Sequence, residues 1–120
     1  MMIAFPTAGT DLSDPLDARF GRAARFLLVD TETGAVRAVE NAENAEAPQG
    51  AGIQAAQTIL GSGAKILVSA HVGPKAFRVL QAAGARVFQA DPAPLSGLLE
   101  AWRRGELPEM SAPDRTGHPE

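Results

Sequence analysis

Apolar residues in this chain gather into short runs and helical stripes, separated by glycines, prolines and acidic stretches. Residues 2–5 (MIAF) form an apolar run closed by Pro6 and Gly9, the pattern of a buried strand. Residues 26–30 (FLLVD) form a second such run, and 36–40 (VRAVE) alternate apolar and polar with period two. The polar stretch 31–34 between them ends in Gly34, which predicts an antiparallel hairpin. Residues 41–49 are acidic and rich in Ala and Asn, contain Pro48 and show no periodicity. They read as an exposed loop.

Three helical stripes follow. The first helix is expected to start near Gly50 and Gly52 and to reach about Leu60, with Ile53, Ala56, Ile59 and Leu60 on one face. Gly61 and Gly63 stop it, and 65–69 (KILVS) make a fourth strand. Pro74 suits the first position of a second helix, whose stripe is Ala76, Phe77, Leu80 and Ala83 and which ends at Gly84. A fifth strand over 85–88 precedes a third helix, which follows Pro92 and Pro94, carries Leu95, Leu98, Leu99 and Trp102 inward, and stops at Gly105. The expectation is one domain over residues 1–107, followed by a frayed tail over 108–120, where acids and prolines outnumber apolar residues.

The order β–β–β–α–β–α–β–α constrains the topology. Right-handed crossovers make strands three, four and five parallel, with strand one inserted between three and four. The simplest sheet is five-stranded and mixed, in spatial order 3-2-1-4-5 with strand two antiparallel, and helices cover both faces in an α/β/α sandwich. The carboxyl ends of strands one, three, four and five then share a rim with the start of strand two. Ligands of open α/β sheets bind at such an edge.

The residues expected at that rim are cationic, although the chain as a whole has a net charge of −3. Arg19, Arg22 and Arg25 lie within seven residues, and His71 and Lys75 come from the next connection. Two helices begin there, at Gly50–Gly52 and at Gly73, each offering unpaired N–H groups and a positive dipole end. This predicts an anion-binding crevice at Arg19, Arg22, Gly50, Gly52, His71 and Gly73. The competing reading pairs the arginines with Asp11, Asp14 and Asp17.

Composition narrows the chemistry. The chain of 120 residues is 45% hydrophobic, enough for one packed core. Its acidic balance argues against nucleic-acid or membrane-surface partners. Cysteine is absent, so the chain cannot offer thiolate ligands to zinc or to an iron–sulfur cluster. The first residues, MMIAFPTAG, lack the basic start and long apolar run of a secretory leader, and a cytoplasmic location is expected.

Motifs for established chemistries are weak. Gly50-Ala51-Gly52-Ile53-Gln54-Ala55 fits the dinucleotide pattern, but an acidic loop rather than a strand precedes it, and no acid follows at the end of the next strand. No serine has the context of a hydrolase nucleophile, and strand one carries no carboxylate for a two-metal nuclease. His71 is a candidate metal ligand or anion donor at the rim, whereas His118 falls in the expected tail.

The segments MMIAFP, RFGRAARFLLVD, GAGIQAAQ and VGPKAFRVLQAAGARVF, in this order and spacing, resemble the dinitrogenase iron–molybdenum cofactor biosynthesis family. That family includes NifX-type accessory proteins and the C-terminal domain of NifB-type synthases. The resemblance covers about residues 1–107 and implies a ribonuclease-H-like fold. It also implies a nitrogen-fixation accessory role as a carrier or docking module for iron–sulfur precursors of the nitrogenase cofactor. Two positions depart from the family pattern. Arg19 stands where a histidine is common before Phe-Gly-Arg, and His71 stands where glycine or asparagine is commoner.

The leading expectation is therefore a non-catalytic carrier for an iron–sulfur or iron–molybdenum cofactor precursor. Its partners would be an anionic metal cluster or cluster-assembly proteins. The alternative is an adaptor or regulator of metal-cluster metabolism that binds no cluster, and an enzyme acting on a small anion ranks last.

Overall fold

The computed structural model describes residues 1–113. Strands β1 (Met2–Thr7), β2 (Arg25–Asp30) and β3 (Val36–Glu40) come first, then the short helix α1 (Ala42–Ala45) and α2 (Ala51–Gly61). They are followed by β4 (Ala64–Ser69), α3 (Pro74–Ala82), β5 (Arg86–Gln89) and α4 (Leu95–Arg103). The sheet order is β3-β2-β1-β4-β5, with β2 antiparallel to β1 and β3, and β4 parallel to β1 and β5. The topology read from the sequence is the one observed.

Alternation along the central strands sorts their side chains onto two faces. Ala4, Phe26, Leu28 and Leu67 pack with Ala55, Ala56 and Ile59 of α2 and with Ala76, Phe77 and Leu80 of α3. Ile3, Phe5, Leu27, Val29, Ile66 and Val68 point the other way, onto Leu95, Leu98 and Leu99 of α4. Burying each large apolar side chain stabilises the fold by about 1.5–3 kcal/mol, and Ile3, Phe5, Phe26 and Leu27 are wholly buried. Leu67 and Val68 of β4, Ile59 of α2, Leu80 of α3 and Leu95 of α4 are buried as fully, so the core runs through the central strands and onto the helices of both faces.

Two expectations need correction. Residues 41–49 are not all loop, because α1 forms over Ala42–Ala45. It buries none of its residues, which is why apolar periodicity could not announce it. The frayed tail expected from residue 108 onward does not start there. Gln89 N–H donates to the Pro108 carbonyl (2.9 Å), Met110 N–H donates to the Val87 carbonyl (2.8 Å), and Arg86 grips Glu109 at 2.8 Å. Residues 108–110 thereby cover the outer edge of β5. Residues 114–120 of that expected tail, including His118, lie outside the described residues.

Candidate anion site at the carboxyl edge of the sheet

Three connections meet at the rim. After β1 the chain loops through residues 8–24, and Leu16 and Phe20 are both buried and anchor this excursion. The Phe20 ring lies 5.5 Å from that of Phe26, tilted by 48°. The connection after β4 carries His71, whose backbone bridges in parallel to Arg19. The two connections therefore run side by side, and a sheet-like contact brings Arg19 and His71 together.

Gly21 settles how close the third connection comes. A Cβ on Gly21 would lie 2.8 Å from the Gly52 nitrogen and 2.9 Å from its Cα. The loop therefore packs backbone to backbone on the first turn of α2. Gly50, the residue before that helix, has φ of 76°, a left-handed conformation that favours glycine. Neither α2 nor α3 has a side-chain cap, and the first residues of both helices line the hollow between these connections. Pro74 occupies the first turn of α3, where its missing N–H does no harm.

The result is a hollow of about 850 Å³, lined by residues 18–22, 49–53, 71 and 73–76. All six residues named from the sequence, Arg19, Arg22, Gly50, Gly52, His71 and Gly73, line it, together with Lys75. Phe20, Ile53, Pro74 and Ala76 give it apolar walls, and among the described residues no Asp or Glu lines it. The sequence reading did not foresee these walls: it places Ile53 on the core stripe of its helix and assigns Phe20 no role.

The three arginines differ in their partners. Arg19 is held by Asp17, Nε to Oδ1 at 3.3 Å. Arg25 pairs with Glu40 at 2.9 Å and also donates to the Ala8 carbonyl. The charge-assisted bond between them lifts the Arg25 pKa above its ordinary value and lowers that of Glu40. The competing reading is thus correct for Arg19 with Asp17, while Arg25 found a different acid. Asp14 instead accepts from the Thr10 and Asp11 N–H groups of its own loop. Arg22 pairs with no carboxylate among the described residues. Its Nη1 donates to the carbonyl oxygens of Ala45 (2.9 Å) and Ala47 (2.6 Å), so its position is fixed while its charge is left unneutralised.

This arrangement suits an anion held by hydrogen bonds. It does not suit a bare metal ion, because among the described residues no three His, Cys, Asp or Glu side chains converge.

The dinitrogenase iron–molybdenum cofactor family model matches residues 1–105. The chain belongs to that family. Membership makes it an accessory protein of iron–molybdenum cofactor metabolism. The apo form of the orange protein from Desulfovibrio gigas is 39% identical, with a TM-score of 0.91 over 94% of this chain and 95% of that one. A candidate NifB protein from Thermotoga is 34% identical, with a TM-score of 0.83 over 97% and 98% of the two chains. An uncharacterised protein of Methanocaldococcus jannaschii is 28% identical over 109 residues, 89% of each chain. Among the described residues of this family member, no helix is long and apolar enough to cross a membrane.

Proposed function

We propose that this protein is a non-catalytic carrier that holds an anionic iron–sulfur or iron–molybdenum cofactor precursor in the hollow at the sheet edge. The observation that carries the reading is Arg22, a cation fixed by two carbonyls and, among the described residues, without an acid, which lines one hollow with two uncapped helix starts. Helix N-termini and guanidinium groups both favour negative charge, and apolar walls favour a large cargo of diffuse charge over a small, strongly hydrated ion. The hollow's 850 Å³ has room for a multinuclear cluster. The relative from Desulfovibrio gigas is described as an apo form, a form that lacks a bound group, which supports a removable cargo in this fold.

Within the hollow, backbone N–H groups of Ala51, Gly52 and Lys75 would donate to the outer atoms of the cluster. Arg19, Arg22 and Lys75 would balance its charge, and Gly50 and Gly73 would let it approach the backbone. His71 would be the exchangeable metal ligand. With no thiolate available, the cargo keeps its own sulfur ligands and leaves readily, as delivery requires.

Anaerobic titration with a thiolate-capped cubane iron–sulfur cluster tests the reading. Visible absorbance is expected to co-elute with the protein, and Arg22→Ala is expected to weaken binding by about tenfold or more, the effect of one charge-assisted hydrogen bond. If the cluster elutes apart from wild-type protein, the carrier reading fails. Native cluster-assembly proteins captured by the same rim would then favour the adaptor.

A further inference from the structure

Arg22 is held by more than the two carbonyls it touches. Asn41 is buried, 4% exposed, and its Nδ2 donates to the carbonyls of Gly21 (3.2 Å) and Ala23 (2.8 Å), the residues on either side of Arg22. Its backbone N–H donates to the Ala24 carbonyl at 2.8 Å. Asn44 extends the chain of contacts. Its Nδ2 donates to Asn41 Oδ1 (3.0 Å) and to the Ala51 carbonyl (3.0 Å) in the first turn of α2. Two asparagine amides thus connect the Arg22 loop, the α1 segment that supplies the Ala45 and Ala47 carbonyls, and one of the two helix starts facing the hollow.

Asn44 has an unusual feature for a residue whose only task is stability. Its Oδ1 is buried and has no hydrogen-bond partner. Buried polar atoms are satisfied in the great majority of cases, so an orphan acceptor wants a reason. The reason lies at the other end of the same amide, whose nitrogen reaches two acceptors on different elements. Both of Arg22's side-chain hydrogen bonds among the described residues leave from Nη1. The Nε–Nη2 edge, which takes two acceptor atoms side by side, keeps its donors for a ligand.

We infer that Asn41 and Asn44 are positioning residues for Arg22, fixing its guanidinium so that the Nε–Nη2 edge meets two adjacent acceptor atoms of the anion. This deepens the carrier reading and rests on it. Neither asparagine touches the cargo. Both act through the arginine.

Two measurements test the inference, one of them without any ligand. In wild-type protein the Arg22 Nη protons are expected to give resolved, slowly exchanging nuclear magnetic resonance signals, because two carbonyls stop rotation about Cζ–Nη. Asn44→Ala is expected to collapse them into the averaged arginine signal while the amide spectrum of β1 and β2 stays unchanged. Signals equally resolved in Asn44→Ala would overturn the assignment, whatever the protein binds. In titrations with the thiolate-capped cubane cluster, Asn44→Ala is expected to bind several-fold more weakly than wild type. Adding Asn44→Ala to Arg22→Ala is expected to change affinity no further. Additive losses would show that Asn44 acts independently of Arg22 and would sink the inference while leaving the carrier reading intact. Should Asn44→Ala unfold, Asn44→Ser takes its place, because it also removes the bridging nitrogen.

Discussion

Gly21 shows what one hydrogen atom in place of a methyl group permits. Its Cα lies against the Gly52 backbone, and an added Cβ would sit 2.8 Å from the Gly52 nitrogen, with backbone rather than a yielding side chain in the way. Gly21→Ala is therefore expected to destabilise the fold by about 1–3 kcal/mol, read by thermal or urea denaturation. It should also weaken cluster binding in the titration, since the α2 start must retreat from the arginine loop. A variant of unchanged stability and affinity would show that the close approach is dispensable. The sequence revealed Gly21 as part of an Arg-Phe-Gly-Arg segment and Gly52 as part of a helix start. It could not reveal that the two meet, because 31 residues separate them and neither has a side chain to leave a pattern.

Elements announced by apolar periodicity were legible, and elements held by polar contacts were not. Strands β1, β2 and β4 are buried on both faces and leave continuous apolar runs, while α2 to α4 each bury one face and leave a three-to-four-residue rhythm. Helix α1 buries nothing and is held by Asn41 and Asn44, which in the sequence look like ordinary surface residues, and by Arg22, which the sequence marks as a rim cation but not as a partner of this segment. The strap over β5 was hidden likewise, since its ion pair between Arg86 and Glu109 spans 23 positions. Hydrogen bonding to Arg86 lowers the Glu109 pKa below its ordinary value. A lowered carboxylate pKa contributes stability that is full above the ordinary value and is lost as pH falls through the folded one. Hydrogen exchange at the Gln89 and Met110 amides, both bonded within this strap, is therefore expected to lose protection relative to the core as pH falls below the ordinary glutamate range. Glu109→Gln should show that loss already at neutral pH. Equal protection in the variant would mean that the backbone pairing holds the strap unaided.

At the scale of the whole molecule, charge is distributed unevenly. A chain of net charge −3 keeps acids off the lining of one hollow and sets Arg19, Arg22, His71 and Lys75 around it. The clustering was readable from sequence once the topology was known, but the division of labour among the arginines was not. Which acid each arginine meets depends on loop paths: Glu40 reaches Arg25 from the neighbouring strand, fifteen residues away. Salt dependence should expose that division. Raising ionic strength is expected to weaken cluster binding by wild-type protein and to weaken it less in Arg22→Ala, which has already lost a cation. Arg25→Ala, whose cation is already neutralised, should keep the wild-type slope. Parallel slopes in all three proteins would remove electrostatics as the basis of capture.

The hollow is lined by three stretches, 18–22, 49–53 and 71–76, that are remote in sequence and meet only once the sheet has formed. An unfolded chain therefore owns no receptor, and occupancy and foldedness become one linked equilibrium. Saturating the protein at a hundred times its dissociation constant would stabilise it by about 2.7 kcal/mol. For a domain of this size that is a melting-point rise of the order of 10 °C. In the cell, empty copies would be the ones that open, and proteases would thin them first, so the surviving pool would be enriched in loaded molecules without any dedicated sensor.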